Sequence, residues 1–210
     1  MSLNSRCKRW GLVLLLCTVW STPHATGRAA TPVPPPEAVK QFDAAVQSQD
    51  LQSLLAVVRR IGQQDTKEAV LAIAYAGLAE SVLVSLSAEQ TQQVLQTAQE
   101  VLTRMTDTRA WKATYKATYK HPDWRVRVML LDVVRHRLPD EKRAEKAVIK
   151  AIGDGTDAVA IKAIEMAGEF NLKRTVPKLM QMVIAKWGQH VGVSAAKATL
   201  ALEKITFHRI

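Results

Sequence analysis

Three short segments decide the fold of this chain: VRVM at residues 126–129, IKAI at 161–164 and AKAT at 196–199. Each has a Lys or Arg as its second residue, and consecutive segments stand 35 residues apart. The stretch after each of the first two keeps the same step, because residues 144–153 map onto 179–188 with apolar positions matched, and each stretch ends in a glycine. A period in the thirties with two helices per unit predicts stacked helical hairpins, since one hairpin cannot bury its apolar stripe alone.

The stretch HPDWRVR at residues 121–127 resembles the start of a HEAT-like repeat, in which an Asp-containing turn precedes an apolar residue, a basic residue and a helix of small and apolar residues. Thr156 and Asp157 repeat this pattern before residues 161–164, and residues 196–199 repeat it without the Asp. The resemblance is clear over about 120–206. It implies an all-α fold, an α/α superhelix of stacked helical hairpins of the HEAT/armadillo type.

Arg127, Lys162 and Lys197 take the same place in the three segments and form a basic ladder in the predicted register. In the HEAT-like family, an Arg at the position of Arg127 usually bonds acidic groups of the adjacent turn, so the resemblance implies a structural role for it. A basic track for an anionic ligand is the alternative.

The preceding part of the chain is also predicted to be helical, which gives about ten helices in all. Helix starts are indicated by Asp50, by capping boxes at residues 65–68 and 87–90, and by Asp107.

Repeats in this part are less regular. Residues 70–77 echo residues 161–168 but stand 91 residues earlier, which is not a multiple of 35. We therefore predict an irregular helical region at 37–119, with degenerate repeats as the open alternative, followed by HEAT-like repeats at 120–210.

Residues 1–29 are predicted to be a secretory signal peptide, followed by a Pro-rich spacer at 30–36. The first ten residues are basic, the next ten are apolar, and small residues follow. A membrane anchor is the alternative, but a span needs roughly 20 apolar residues. We expect an exported protein, periplasmic or secreted, with no transmembrane span after signal removal. Its mature chain would have no cysteine, because Cys7 and Cys17 both lie in the signal.

Charge is divided unevenly along the chain. Residues 31–108 contain five Lys/Arg and nine Asp/Glu, whereas residues 109–210 contain twenty and ten. This asymmetry is consistent with an anionic partner for the second half, and with repeat helices that simply expose Lys and Arg to water.

Residues 108–120 interleave aromatic and basic side chains. Aromatic residues four apart share one helix face and the lysines line the next, a pattern that binds nucleic acid or glycans, or that packs its rings into the core. With the basic ladder, the candidate binding surface consists of Trp111, Lys112, Tyr115, Lys116, Tyr119, Lys120, Arg127, Lys162 and Lys197.

The last predicted helix has apolar residues that the second helix of a complete hairpin would cover. We expect an apolar edge there, which packs on another chain or on the tail and makes a homo-oligomer one hypothesis. Its candidate contact residues are Leu200, Leu202, Ile205 and Phe207.

No sequence motif of an enzyme is present: no nucleophile elbow, phosphate-binding loop or dinucleotide fingerprint occurs, and the histidines lack metal-ligand spacing. We predict no catalytic residue, no metal site and no cofactor. The first hypothesis for function is an exported, non-catalytic scaffold that binds a protein partner. The alternative is a binder of polyanions, either nucleic acid or an anionic envelope polymer or lipid. A lyase, by analogy with HEAT-like chromophore lyases, comes last because fold does not carry function.

Overall fold

The computed structural model describes residues 34–48, 50–186 and 193–207, and these residues form eleven α-helices and no β-strand. A π-helical turn at Ile73–Gly77 continues α3, and a 3-10 turn at Lys173–Thr175 leads into α10. The helices are α1 Pro36–Gln47, α2 Leu51–Gly62, α3 Lys67–Ala72, α4 Glu80–Val84, α5 Ala88–Thr103, α6 Thr108–Lys120, α7 Trp124–Arg135, α8 Lys142–Ile152, α9 Asp157–Glu169, α10 Val176–Lys186 and α11 Val193–Phe207.

The helices pack in two rows. The first row is α2, α5, α7, α9 and α11, and the second row is α3, α6, α8 and α10; each helix contacts its neighbours within the row. Chain neighbours such as α6 and α7, α8 and α9, and α10 and α11 pack across the rows. The predicted all-α fold of stacked helical hairpins is therefore confirmed. No helix among the described residues is long and apolar enough to span a membrane.

Predicted capping residues start several of these helices. The Asp50 carboxylate accepts from the N–H groups of Gln52 and Ser53, both at 3.0 Å. Ser87 and Gln90 form the reciprocal capping box of α5, with bonds of 3.2 and 2.9 Å. These side chains satisfy N–H groups that have no partner inside the helix, so the local sequence fixes where each helix begins.

The predicted capping box at Asp65 is wrong by one residue, because Thr66 caps α3 by accepting from Ala69 N–H at 3.1 Å. Asp65 takes a left-handed φ of 46°. Its Oδ1 accepts from the N–H groups of Thr106 and Asp107 at 2.9 and 3.1 Å, which ties the α2–α3 turn to the α5–α6 turn.

The repeat step also differs from the prediction. The N-caps of α7 and α9, Asp123 and Thr156, are 33 residues apart rather than 35, while Ala163 and Ala198 in α9 and α11 keep the step of 35. The segment that joins the core positions of α9 to those of α10 is two residues longer than the segment that joins α7 to α8. The core positions of α8 and α10 are therefore again 35 residues apart. At the step of 33, three buried residues of α7 map onto three of α9: Val126 onto Val159, Leu130 onto Ala163 and Leu131 onto Ile164.

His121, in the turn between α6 and α7, is 2% exposed and joins two parts of the fold. Its Nε2–H donates to the carbonyl of Ala74 in the π-helical turn at 2.7 Å, and its Nδ1 accepts from Asp123 N–H at 3.1 Å. Only a neutral ring both donates and accepts in this way. Burial lowers the pKa of His121 and so favours this neutral form.

Candidate functional site

The aromatic stripe of α6 belongs largely to the core. Trp111 and Tyr115 are only 4% and 5% exposed. The Trp111 Nε1–H donates to the carbonyl of Met105 at 2.7 Å, and the Tyr115 hydroxyl donates to Glu141 Oε2 at 2.6 Å. Burial and then this bond to Glu141 raise the pKa of the Tyr115 hydroxyl. Trp111 is therefore a core residue, and Tyr115 is almost entirely covered.

The basic residues of the same helix point the other way. Lys112 and Lys116 are exposed, and Lys120 is half-buried. Tyr119 is half-buried at the boundary between the two faces, with Lys150 Nζ of α8 at 4.1 Å from its ring centroid. This cation–π contact joins the basic face of α6 to that of α8.

A groove of about 260 Å³ runs between α6 and α8. Its lining contains no acidic side chain, and none of its five cations forms an ion pair with a described residue. Two tyrosine rings and one alanine complete the lining. We call this surface the basic groove; it consists of Lys112, Tyr115, Lys116, Tyr119, Arg143, Lys146, Ala147 and Lys150.

Sequence reasoning missed the α8 side of the basic groove. Lys142 and Arg143 begin α8. The available signal was the spacing of Arg143, Lys146 and Lys150, which puts all three on one helix face as Lys112 and Lys116 are on α6. What the sequence could not show is that α6 and α8 are neighbours in one row.

Charge is sorted between the rows. Helices α6, α8 and α10 contain ten Lys/Arg and one acid, Glu145, which is buried and pairs with Arg174 at 3.3 Å. Helices α5, α7, α9 and α11 contain six Lys/Arg and seven Asp/Glu. The excess of Lys and Arg in the second half of the sequence therefore lies on the second row, and the net charge of the first row is close to zero.

Arg127 holds two turns together through its two terminal nitrogens. Its Nη1 donates to the carbonyls of His121 and Pro122 at 2.6 and 2.9 Å, and its Nη2 donates to Asp154 Oδ1 at 2.9 Å and to Thr156 Oγ1 at 3.0 Å. The Arg127–Asp154 pair is almost buried, with side chains 11% and 9% exposed. Arg127 thus fixes the α6–α7 turn against the α8–α9 turn.

The other two residues of the predicted basic ladder make different contacts. Lys162 of α9 pairs with Asp132 of α7 at 2.6 Å, and Lys197 of α11 pairs with Glu165 of α9. Both lysines link neighbouring helices of the first row, whereas the basic groove lies on the second row. The structure therefore places Arg127, Lys162 and Lys197 in the first row, whereas the lysines of α6 lie in the second row.

A second, larger groove of about 790 Å³ lies between α5 and α7 of the first row. Trp124, which is 47% exposed, stands at one end of it. Leu95, Val128 and Met129 contribute apolar surface, and glutamines of α5 line the other side. No pattern in the sequence indicates this groove, because its two walls are far apart along the chain.

Comparison of this chain with known proteins identifies no family: no family model, no curated protein and no solved structure matches it. The two grooves and the chemistry of their linings are therefore the features of the described residues that bear on function. Among the described residues, no group of three or more His, Cys, Asp or Glu side chains is arranged to hold a metal ion.

The predicted apolar edge on α11 is only partly exposed. Leu200 is 56% exposed, Leu202 is half-buried and Ile205 is 5% exposed. The side chain of Phe207 lies outside the described residues. On α10, Met180 and Ile184 are also exposed, at 49% and 67%.

Proposed function

We propose that this protein is a non-catalytic binding scaffold whose second row holds a linear polyanion. The single observation that carries this proposal is the basic groove, where five exposed cations from two helices surround one cavity without an acidic side chain in its lining. Phosphate, sulfate and carboxylate groups are the complementary chemistry, since positive potential concentrates anions between such walls.

The spacing of the cations fits an extended chain. Lys112 and Lys116 stand one turn apart on α6, about 6 Å along the axis, and Arg143 to Lys150 covers about 10 Å on α8. Charged groups repeated along a polymer meet cations on both walls. An occupying anion also relieves the mutual repulsion of five like charges.

The N-terminus of α8 lies beside Tyr115, which lines the basic groove. Glu141 is the N-cap residue, but its carboxylate accepts from Tyr115 and does not cap the helix. The N–H groups of the first turn of α8 therefore lack a side-chain acceptor, and a helix N-terminus favours anions.

Binding of labelled inorganic polyphosphate, a single-stranded oligonucleotide and phosphatidylglycerol vesicles to the full chain tests this proposal. Five contacts predict a slope of log K against log salt of about −3 to −5. Replacing Lys116→Glu together with Lys146→Glu is expected to weaken polymer binding at least about tenfold at low salt, because two attractive contacts become repulsive. The preferred probe identifies the polymer class.

The matched control carries Lys40→Glu and Lys67→Glu, two exposed lysines outside the groove with the same change in net charge. Its binding is expected to stay within about twofold of the original, since screening limits long-range effects. Equal weakening in both double variants, or a salt slope near zero, would refute a localised anion site.

We further propose export to the periplasm or the exterior, on the basis of the first 29 residues, and membership of the HEAT-like repeats, on the basis of residues 120–206. Export favours an envelope polymer or anionic lipid over an intracellular nucleic acid as the natural ligand.

A second candidate function, a scaffold for a protein partner, is supported by the groove between α5 and α7 with its half-exposed Trp124. Half-exposed tryptophans in concave sites are common anchors of protein interfaces. Copurification with a tagged full chain at moderate salt tests this candidate. A discrete partner that survives salt supports it, whereas polymer retained only at low salt favours the first proposal.

A further inference from the structure

In the described part of the first row, polar side-chain contacts join α7 to α9 and α9 to α11 but do not join α5 to α7. Between α7 and α9, Arg135 pairs with Glu169 and Lys162 with Asp132. Between α9 and α11, Lys197 pairs with Glu165, and the Ser194 hydroxyl donates to Asp157 at 3.1 Å. Among the described residues, no ion pair or side-chain hydrogen bond joins α5 to α7, and the groove of about 790 Å³ opens there.

The groove has a distinct chemistry along its length. Trp124 begins α7 and stands beside the first turns of α5, and an apolar strip of Leu95, Val128 and Met129 follows. The α5 wall presents side-chain amides one turn apart, from Gln92, Gln96 and Gln99.

Charge at the far end of the groove is weakly acidic. Asp132 there is paired with Lys162, while at the Trp124 end Arg125 is held by Asp123 at 2.6 Å. Glu100 has no ion pair with a described residue and accepts a bond of 3.3 Å from Gln96. Helix α5 contains two acids and no Lys or Arg.

We propose that this groove binds an extended polypeptide segment that places an apolar or aromatic side chain against Trp124 and a Lys or Arg near Glu100. This inference rests on the second candidate function, the protein scaffold, and names the chemistry of its partner. An indole face and an apolar strip accept the first side chain, and the unpaired carboxylate accepts the second.

A peptide fits this lining better than an oligosaccharide. An extended peptide alternates side chains with amide groups, so apolar side chains meet the strip while its N–H and C=O groups meet glutamine amides, which both donate and accept. A sugar chain carries hydroxyls on every residue, and hydroxyls pressed against leucine, valine and methionine lose their water without gaining a partner.

The length of the site sets the length of the segment. From Trp124 to Asp132 α7 rises about 12 Å, which an extended peptide of about four residues spans. The apolar and the basic residue should therefore lie two to four positions apart.

Selection from a displayed library of random linear peptides on the full chain, held by a C-terminal tag, tests the inference. Enriched peptides are expected to share this apolar–basic spacing. Trp124→Ala should weaken synthetic versions of them at least about tenfold, and Glu100→Gln about threefold. Val84→Ala is the matched control, because Val84 is 72% exposed and does not line the groove; its affinity should not change.

Each other outcome contradicts the inference in a recognisable way. Enriched peptides that bind the Trp124→Ala variant as well as the original place the site elsewhere, while the protein-scaffold function stands. Binding of chitohexaose or cellohexaose that Trp124→Ala abolishes makes the groove an oligosaccharide site. No enrichment of peptides overturns the inference, and copurification then decides separately whether the scaffold function survives.

Discussion

At the scale of single residues, His121 couples the fold to pH. Its pKa is lowered in the folded protein from an ordinary value of 6.5, so the unfolded chain takes up a proton first as the pH falls. The stability that His121 contributes is therefore fully present above about pH 6.5 and is lost as the pH falls through its folded pKa. Hydrogen bonding from Thr106 lowers the pKa of Asp65, so that group acts only at lower pH.

We expect the free energy of unfolding to fall between pH 7.5 and about 5, measured by urea denaturation at each pH. His121→Leu should flatten this dependence and lower stability at neutral pH by about 1–3 kcal/mol, because the Ala74 carbonyl and the Asp123 N–H lose their partner. An unchanged pH profile in the variant would mean that other groups control the acid response.

Gly77 closes the π-helical turn against Phe42, and a Cβ at position 77 would lie 2.6 Å from the Phe42 ring. Because Phe42 is itself buried, Gly77→Ala should lower the free energy of unfolding by about 1–3 kcal/mol. Gly155 is the control, since a Cβ there meets nothing within 4 Å. Thermal unfolding of the two variants compares them directly, and equal stability would show that the Phe42 ring moves freely.

At the scale of the elements, Arg127 forms an almost buried ion pair, whereas the ion pair of Lys162 is more exposed to solvent. Arg127→Gln removes one partner of an almost buried pair and should cost about 3–5 kcal/mol of unfolding free energy. Lys162→Gln breaks a pair whose side chains are 27% and 26% exposed and should cost less than about 1 kcal/mol. Chemical denaturation of both variants checks the order; a larger loss for Lys162→Gln would reverse this assignment.

Helix starts could be predicted from the sequence because capping is local: Asp50 and Ser87 bond N–H groups two or three residues away. Asp65 misled the same reasoning, since its left-handed backbone turns the carboxylate toward a turn 41 residues later.

The basic groove could be predicted only in half. Lys112 and Lys116 stood out beside the aromatic residues, but Lys146 and Lys150 become part of the site only when α8 packs beside α6. The groove at Trp124 likewise depends on which helices are neighbours, a matter of long-range packing that no local pattern encodes.

At the scale of the whole molecule, the first 29 residues predict export and cleavage. We expect the full chain with a C-terminal tag to appear in the periplasmic or secreted fraction of a bacterial host, shortened by about 3 kDa, because a signal peptidase removes the apolar segment. Mass spectrometry should place the new N-terminus after Gly27 or Ala29.

The control for export carries Leu14→Arg and Leu15→Arg, which charge the apolar run and should leave an unprocessed chain in the cytoplasm. An unshortened original chain in the membrane fraction would instead support the membrane-anchor interpretation.

The packing of each helix against its row and chain neighbours bears on how the molecule forms. Among the side-chain and turn hydrogen bonds of the described residues, the bond from His121 to Ala74 joins the two residues that are farthest apart along the chain. Their separation is 47 residues. Contacts of this limited separation close shorter loops than strand pairings across a whole domain do, and helical proteins generally fold faster than all-β proteins for this reason. Hairpins can therefore join the array one after another in chain order, so the fold can grow as the polypeptide emerges and need not wait for its last residues.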